Sequence, residues 1–277
     1  MIVSTNIGGL SNRIKSMVSC IRYSKENNVE VKVYWKVLDS YKKNYHVLNC
    51  SFSKLFSNNI EINKDYSKYS CIIYKFPNLM IFDEDKLPDN FDTYDKKNAK
   101  YTPNDKRRRN IDHNYNKIPR NVIENYLPCF KLLKPIKELQ EKIDHFSKKF
   151  NERTISIHIR SWSRKNEESR HYKQFQNGIH RFETEMLKYK THNFFLTTDS
   201  QKVKHYFQNK SILKEKIICY PRKTNLDTSR IYPEGIQEDL IELYLLSKNK
   251  IIIGSHNSTY TEVAWWLAEC PENITIL

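Results

Sequence analysis

The 277-residue sequence holds only five glycines and no internal repeat, which excludes collagen-like and low-complexity architectures. No apolar run approaches the roughly 20 residues that a membrane-spanning helix needs, so we expect no membrane span. Six cysteines occur, but never as CxxC or in a Cys/His spacing, which argues against a zinc site. Several lie in apolar stretches, where a free thiol behaves as a small hydrophobe. No leader-like segment precedes the first strand-like run, so a soluble, cytoplasmic protein is the expectation. Acidic residues are also in short supply, 32 against 47 Lys and Arg, for a net charge of +15. Such a surface favours anionic partners, nucleotide phosphates among them. The positive charge is scattered, with one compact run at Lys106-Arg107-Arg108-Arg109 that reads more simply as a solvated loop. Nucleic-acid binding is not expected, because there is no recognition helix, RNP-like strand or zinc knuckle.

What the sequence does contain is alternation. Met1-Ile2-Val3-Ser4-Thr5 reads as a strand, broken by Asn6-Ile7-Gly8-Gly9. Ser11 or Asn12 is placed to cap a helix whose face carries Ile14, Met17, Val18 and Ile21. A strand over residues 29–35 then completes a βαβ unit, which implies a parallel sheet. Short apolar runs follow to about residue 94, then a polar stretch over 95–120 that reads as a loop. Pro135 suits the first position of a helix buried through Ile136, Leu139, Ile143 and Phe146. Beyond it, strands at 154–159, 193–198, 216–220 and 250–253 alternate with helices at 182–189, 201–208, 238–247 and 261–268. This is the pattern of a doubly wound α/β sheet, whose ligands bind at the carboxyl ends of the strands. We expect an α/β fold of two Rossmann-type domains with parallel sheets, a small and irregular one over residues 1–130 and a nucleotide-binding one over 131–277.

Three strand ends carry polar groups. Arg160 follows the strand ending at Ile159, Asp199 follows Thr198, and Ser255-His256-Asn257-Ser258 follow Ile253-Gly254. A guanidinium offers a fork of donors that matches a diphosphate. The turn leading into the last helix brings free amides and a helix dipole, which favour an anion. His158, between Ile157 and Ile159 and on the opposite strand face from both, reads as a core or orienting histidine ahead of a catalyst. Trp265 and Trp266 read as core.

The motif Gly8-Gly9-Leu10-Ser11-Asn12-Arg13, opening a helix after an N-terminal strand, resembles the GGLGNR-type signature of the fucosyltransferase-like superfamily of α1,2-, α1,6- and protein O-fucosyltransferases. Ile157-His158-Ile159-Arg160, Phe195-Leu196-Thr197-Thr198-Asp199, and Leu245-Leu246-Ser247 through residues 253–259 resemble its later motifs in order. The resemblance implies a GT-B-like, inverting glycosyltransferase that moves fucose from GDP-fucose to a glycan or other hydroxyl acceptor without a metal or other cofactor. It implies that Arg160 and His158 sit at the donor, with Arg160 on the β-phosphate. Ser255, Ser258 and Thr259 would serve the phosphate, Glu242 the guanine, and Asp199 the base or ribose. Gly8, Gly9, Asn12 and Arg13 would face the donor from the first domain. The second Arg of the α1,6 members is Ser161 here, an acidic residue is Ser163, and a Lys is Arg164. Arg164 is a candidate second cation, and Glu168 or Glu167 a candidate base for the acceptor hydroxyl. Alternatives remain. Asp83-Glu84-Asp85 after the apolar run at 79–82 has the form of the DxD site of a metal-dependent GT-A enzyme, with Asp83 and Asp85 holding Mn²⁺ or Mg²⁺. A basic nucleic-acid-binding protein without catalysis, or a glycan-binding relative without turnover, would share the composition.

Overall fold

A computed structural model describes residues 1–38, 48–62, 66, 70–80, 82, 118–161, 178–256 and 258–277. The chain divides into two compact units, Met1–Glu138 and Leu139–Leu277.

The first unit is built on a three-stranded parallel sheet of order β2-β1-β3, with β1 at Ile2–Ser4, β2 at Val31–Val33 and β3 at Ile72–Tyr74. Helix α1 (Leu10–Asn27) links β1 to β2 and buries nearly all of its first three turns. Neither Ser11 nor Asn12 caps it. The helix starts at Leu10, with Gly9, two residues before Ser11, in the N-cap position and no side-chain cap hydrogen bond. Its other end closes on Asn28, whose left-handed backbone (φ 47°) satisfies the last turn. Helix α2 (Arg120–Leu132), in a stretch to which no element was assigned from the sequence, carries Pro128 within it. Val122, Tyr126, Cys129 and Phe130 nonetheless fall on one buried face at helical spacing, and that burial outweighs the single backbone donor lost at Pro128. Pro135 does not open a helix. It pairs with Phe56 in an isolated bridge, the Ile136 amide donates to the Leu55 carbonyl, and α3 begins at Lys137 (Lys137–Ser147).

The second unit carries five parallel strands in the order β6-β5-β4-β7-β8. They are β4 (Thr154–Ile159), β5 (Asn193–Thr198), β6 (Ile217–Ile218), β7 (Ile252–Gly254) and β8 (Ile274–Ile276). Helices α4 (Gly178–Leu187), α5 (Gln201–Asn209), α6 (Pro233–Leu246) and α7 (Thr259–Leu267) lie between them in sequence. From β4 the chain runs outward to β5 and β6, then returns to β7 on the other side of β4. The order therefore reverses between β4 and β7, the switch point at which open α/β sheets bind ligands. Strand β6 is shorter than the apolar run at 216–220, and α6 starts at Pro233, five residues before the first acid expected in it. Proline at N1 pre-sets the backbone there.

The alternation of β4 settles which side chains face which layer. Ile155, Ile157 and Ile159 join Phe182 and Met186 of α4 and Val203 and Phe207 of α5 in one apolar core. Ser156 and His158 face the other way and are satisfied there: the Ser156 hydroxyl donates to the Leu246 carbonyl at 2.7 Å and accepts from Asn249. Trp265 and Trp266 are buried and meet edge to face, with ring centres 5.0 Å apart. All six cysteines are free, and Cys20, Cys50 and Cys129 are buried. No helix among the described residues is long and apolar enough to cross a membrane.

Candidate functional site

Strand register assembles the site. Ile159 pairs with Thr198 and His158 with Gly254, so Arg160 and Asp199 emerge level at the carboxyl edge, with Ser255 one position short of them beside Ile159. They bond to one another. Arg160 Nη1 lies 3.2 Å from Asp199 Oδ2, the side chains being 17% and 12% exposed. The other carboxylate oxygen accepts from the Ser161 amide at 2.7 Å, and the Arg160 amide donates to the Ser255 hydroxyl at 2.9 Å. The Arg160 guanidinium at the switch point is thus held from β5 by a carboxylate, and its backbone amide from β7 by a hydroxyl.

Behind Arg160, His158 is 4% exposed, with Nδ1 2.7 Å from the Thr261 hydroxyl and 3.5 Å from that of Ser258, and its ring 4.8 Å from the Tyr260 ring. Burial, which disfavours the charged imidazolium, pushes its pKa down to about 3 despite the Asp199 carboxylate. The ring is neutral at ordinary pH and serves to dock α7 on β4. Ser258 is the N-cap of α7, its hydroxyl accepting from the Thr261 amide, and Thr259 is the first helical residue. Gly254 is required at this junction: a Cβ there would sit 2.2 Å from Thr261 Cγ2. The close approach sets the α7 N-terminus, with its partial positive charge, next to the β7 end.

Glu242 is engaged elsewhere. Arg222, beyond β6, binds Glu242 Oε2 at 2.7 Å and Asp239 Oδ1 at 2.8 Å, with Glu238 Oε2 3.4 Å from its Nε. Glu238 also accepts from the Lys223 and Thr224 amides and from the Thr224 hydroxyl. Three carboxylates from one face of α6 surround one buried guanidinium. Burial pushes Glu242 up to about 7 even beside Arg222, and the acids together hold Arg222 firmly protonated against its own burial. The Tyr260 hydroxyl donates to the Asp239 carbonyl and couples this cluster to α7.

Arg13 is likewise absorbed locally. Its Nε donates to the Gly8 carbonyl at 2.8 Å and its Nη1 to the Lys36 carbonyl at 2.7 Å, with the guanidinium 4.7 Å from the centre of the Trp35 ring. Gly8, Gly9, Asn12 and Arg13 belong to the first unit, and Arg160, Asp199, Glu242, Ser255, Ser258 and Thr259 to the second. Arg164, Glu167, Glu168, Asp83, Asp85 and the run at 106–109 lie outside the described residues. Among the described residues no group of three His, Cys, Asp or Glu gathers as a metal site would. Sequence reasoning missed Thr261, Arg222, Glu238 and Asp239. Three acids within residues 238–242, at the start of an apolar run, were the available sign that a buried cation faces α6.

A five-stranded parallel sheet with a cation at its switch point, preceded by a second parallel α/β unit, defines the GT-B-like class of fold. Solved structures agree. The chain is similar to the NodZ alpha-1,6-fucosyltransferase from Bradyrhizobium, in a crystal soaked with GDP-fucose, at 18% identity and a TM-score of 0.57, with 96% of this chain and 91% of that one covered. It is similar to a variant of Arabidopsis thaliana FUT1 in complex with GDP (14%, TM-score 0.57, 99% and 69% covered). It is also similar to POFUT1 in complex with GDP-fucose (9%, TM-score 0.51, 100% and 97% covered). These identities make it a likeness of fold. No protein-family model matches the sequence, and no curated protein matches it.

Proposed function

We propose that this chain is an inverting glycosyltransferase that moves fucose from GDP-fucose to a hydroxyl acceptor, a glycan or a smaller molecule. The observation that carries the reading is Arg160, held at the β4–β7 switch point beside the α7 N-terminus. It sits in a fold shared with transferases crystallised with GDP-fucose or GDP. In the proposed step the acceptor oxygen attacks the anomeric carbon as the bond from that carbon to the β-phosphate oxygen breaks. The electron pair leaves with GDP, and the acceptor proton passes to a carboxylate, for which Glu168 or Glu167 is the candidate. Arg160 meets the charge that develops on the leaving diphosphate, an interaction worth about 3–4 kcal/mol at comparable sites. The amides of the first turn of α7 add to it, while Ser258 and His158 fix where that turn lies. Asp199 acts through Arg160. The donor roles of Gly8, Gly9, Asn12 and Arg13, of Glu242 toward guanine, and of Arg164 rest on the sequence resemblance.

A thermal-shift screen against GDP, UDP, CMP and dTDP tests the reading, since a ligand that binds only the folded state raises its melting temperature. GDP is expected to give the largest shift. No shift with any nucleotide would overturn the proposal. Transfer from GDP-fucose in excess EDTA then examines the metal: full activity is expected, and its loss would support the GT-A arrangement at Asp83 and Asp85.

A further inference from the structure

The edge of the second sheet away from Arg160, where its strands enter, gathers charge that is scattered along the sequence. All five strands are parallel, so the segments leading into β4, β5, β6 and β7 lie along that one edge. The Asn193 amide donates to the Arg153 carbonyl, and Lys216 Nζ to the Lys190 carbonyl, joining neighbouring entries. Residues 148–153, 188–192, 210–216 and 248–250 hold ten Lys or Arg against two acids, Glu152 and Glu215, while Glu269 and Glu272 stand apart at the β8 entry. Lys188 pairs with Glu185 at 2.5 Å and Lys248 with Asp144 at 3.8 Å. Lys188, Lys210 and Lys248 follow helix C-termini, where the dipole favours a cation. Arg153, Lys214 and Lys250 are exposed beyond those ends, and the dipole does not account for them.

Aliphatic side chains stand among these cations. Ser211 and Leu213 are buried, the Ser211 hydroxyl donating to Glu183 and accepting from the Leu213 amide. This pinned turn leaves Ile212 76% exposed between Lys210 and Lys214. Leu187 is exposed beside Lys188. We propose that this edge docks on an anionic lipid bilayer, Ile212 and Leu187 entering the headgroup layer while the surrounding lysines meet lipid phosphates. Basic charge around an exposed aliphatic fits a bilayer surface, where anionic headgroups lie over hydrocarbon. A single nucleic-acid strand would instead call for aromatic platforms, and the aromatics of this edge, Phe150 and Tyr189, pack on Phe195 and His192. Docking by this edge turns the carboxyl edge, with Arg160, away from lipid. It therefore needs no bound donor and does not depend on the function proposed above.

Co-sedimentation of the full chain with vesicles of phosphatidylcholine alone, or mixed with phosphatidylglycerol, tests this, with Lys190→Ala/Lys214→Ala and Ile212→Asn beside the wild type. Each lysine near an anionic surface is worth about fivefold in binding, so the double variant is expected to lose about twentyfold to thirtyfold. Ile212→Asn is expected to lose about threefold to tenfold, for partial burial of one aliphatic side chain. The wild type should bind the mixed vesicles, come off them as salt is raised, and leave phosphatidylcholine alone. Equal binding to both kinds of vesicle, or binding to neither, would overturn the proposal, as would a double variant that binds like the wild type. Unchanged binding by Ile212→Asn would also overturn it in favour of a polyanion, which tighter binding of a single-stranded RNA would then identify. Should the double variant fail to fold, Lys190→Gln with Lys214→Gln is read in its place. The GDP-induced thermal shift is expected to be the same in every variant, so failure of docking leaves the nucleotide reading intact.

Discussion

Removing Arg160 separates stability from catalysis, and the geometry sets both magnitudes. At 3.2 Å the Arg160–Asp199 attraction is about 5 kcal/mol gross at an effective dielectric of about 20. Both side chains stay partly exposed, so desolvation and screening reduce the net contribution to folding to about 1 kcal/mol. Loss of the charge that meets a leaving diphosphate is larger, about 3–4 kcal/mol, or a hundredfold to a thousandfold in kcat/KM. Arg160→Ala is therefore expected to unfold near the wild-type temperature yet transfer at least a hundredfold more slowly. Asp199→Asn keeps an oxygen for the Ser161 amide but loses the charge that orients Arg160, and a loss of about tenfold is expected from the weaker hydrogen bond. The double variant distinguishes two roles for Asp199. If Asp199 acts through Arg160, Arg160→Ala with Asp199→Asn is no slower than Arg160→Ala alone, because coupled residues are not additive. The assay is initial-rate transfer from GDP-fucose at varied donor concentration. Additive losses would refute the positioning role and return Asp199 to direct contact with the base or ribose. Near-normal turnover of Arg160→Ala would refute the phosphate site itself.

Two further outcomes follow from buried charge. Arg222→Ala removes the cation that three carboxylates of α6 share and is expected to cost about 3–5 kcal/mol by urea unfolding, whereas Glu242→Gln, which removes one of three crowded acids, costs under about 1 kcal/mol. A large loss in Glu242→Gln would show that Arg222 depends on that one acid. His158 gives a pH signature. Its folded pKa of about 3 lies below the unfolded value near 6.5, so its contribution is full above about 6.5 and is lost as the pH falls toward 3. The expected slope is up to about 1.4 kcal/mol per pH unit in that window, and His158→Gln should flatten it; an unchanged slope in the variant would refute the assignment.

Periodicity alone determined β4, β5 and α5, because a strand or helix buried on a known face must repeat its apolar residues every two or every three to four positions. The strand-end positions of Arg160, Asp199 and Ser255 were legible for the same reason. Local signals failed where tertiary contacts outweighed them. Helix α2 runs through Pro128 because its buried face is sufficient, and Pro135 joins a bridge with Phe56 instead of opening α3. At α1, Gly9 takes the N-cap position although Ser11 and Asn12 stand nearby. Partnership was beyond the sequence altogether. That Glu242 belongs to Arg222 and Asp199 to Arg160 depends on which strands are neighbours and in what register, and a charge on a one-dimensional pattern has no distance to its partner. The sequence by itself settled that cations and carboxylates gather at strand ends. The tertiary structure decided which of them neutralise one another, because electrostatic pairing falls off over a few ångströms and only folding brings residues 160, 199 and 255 to one edge.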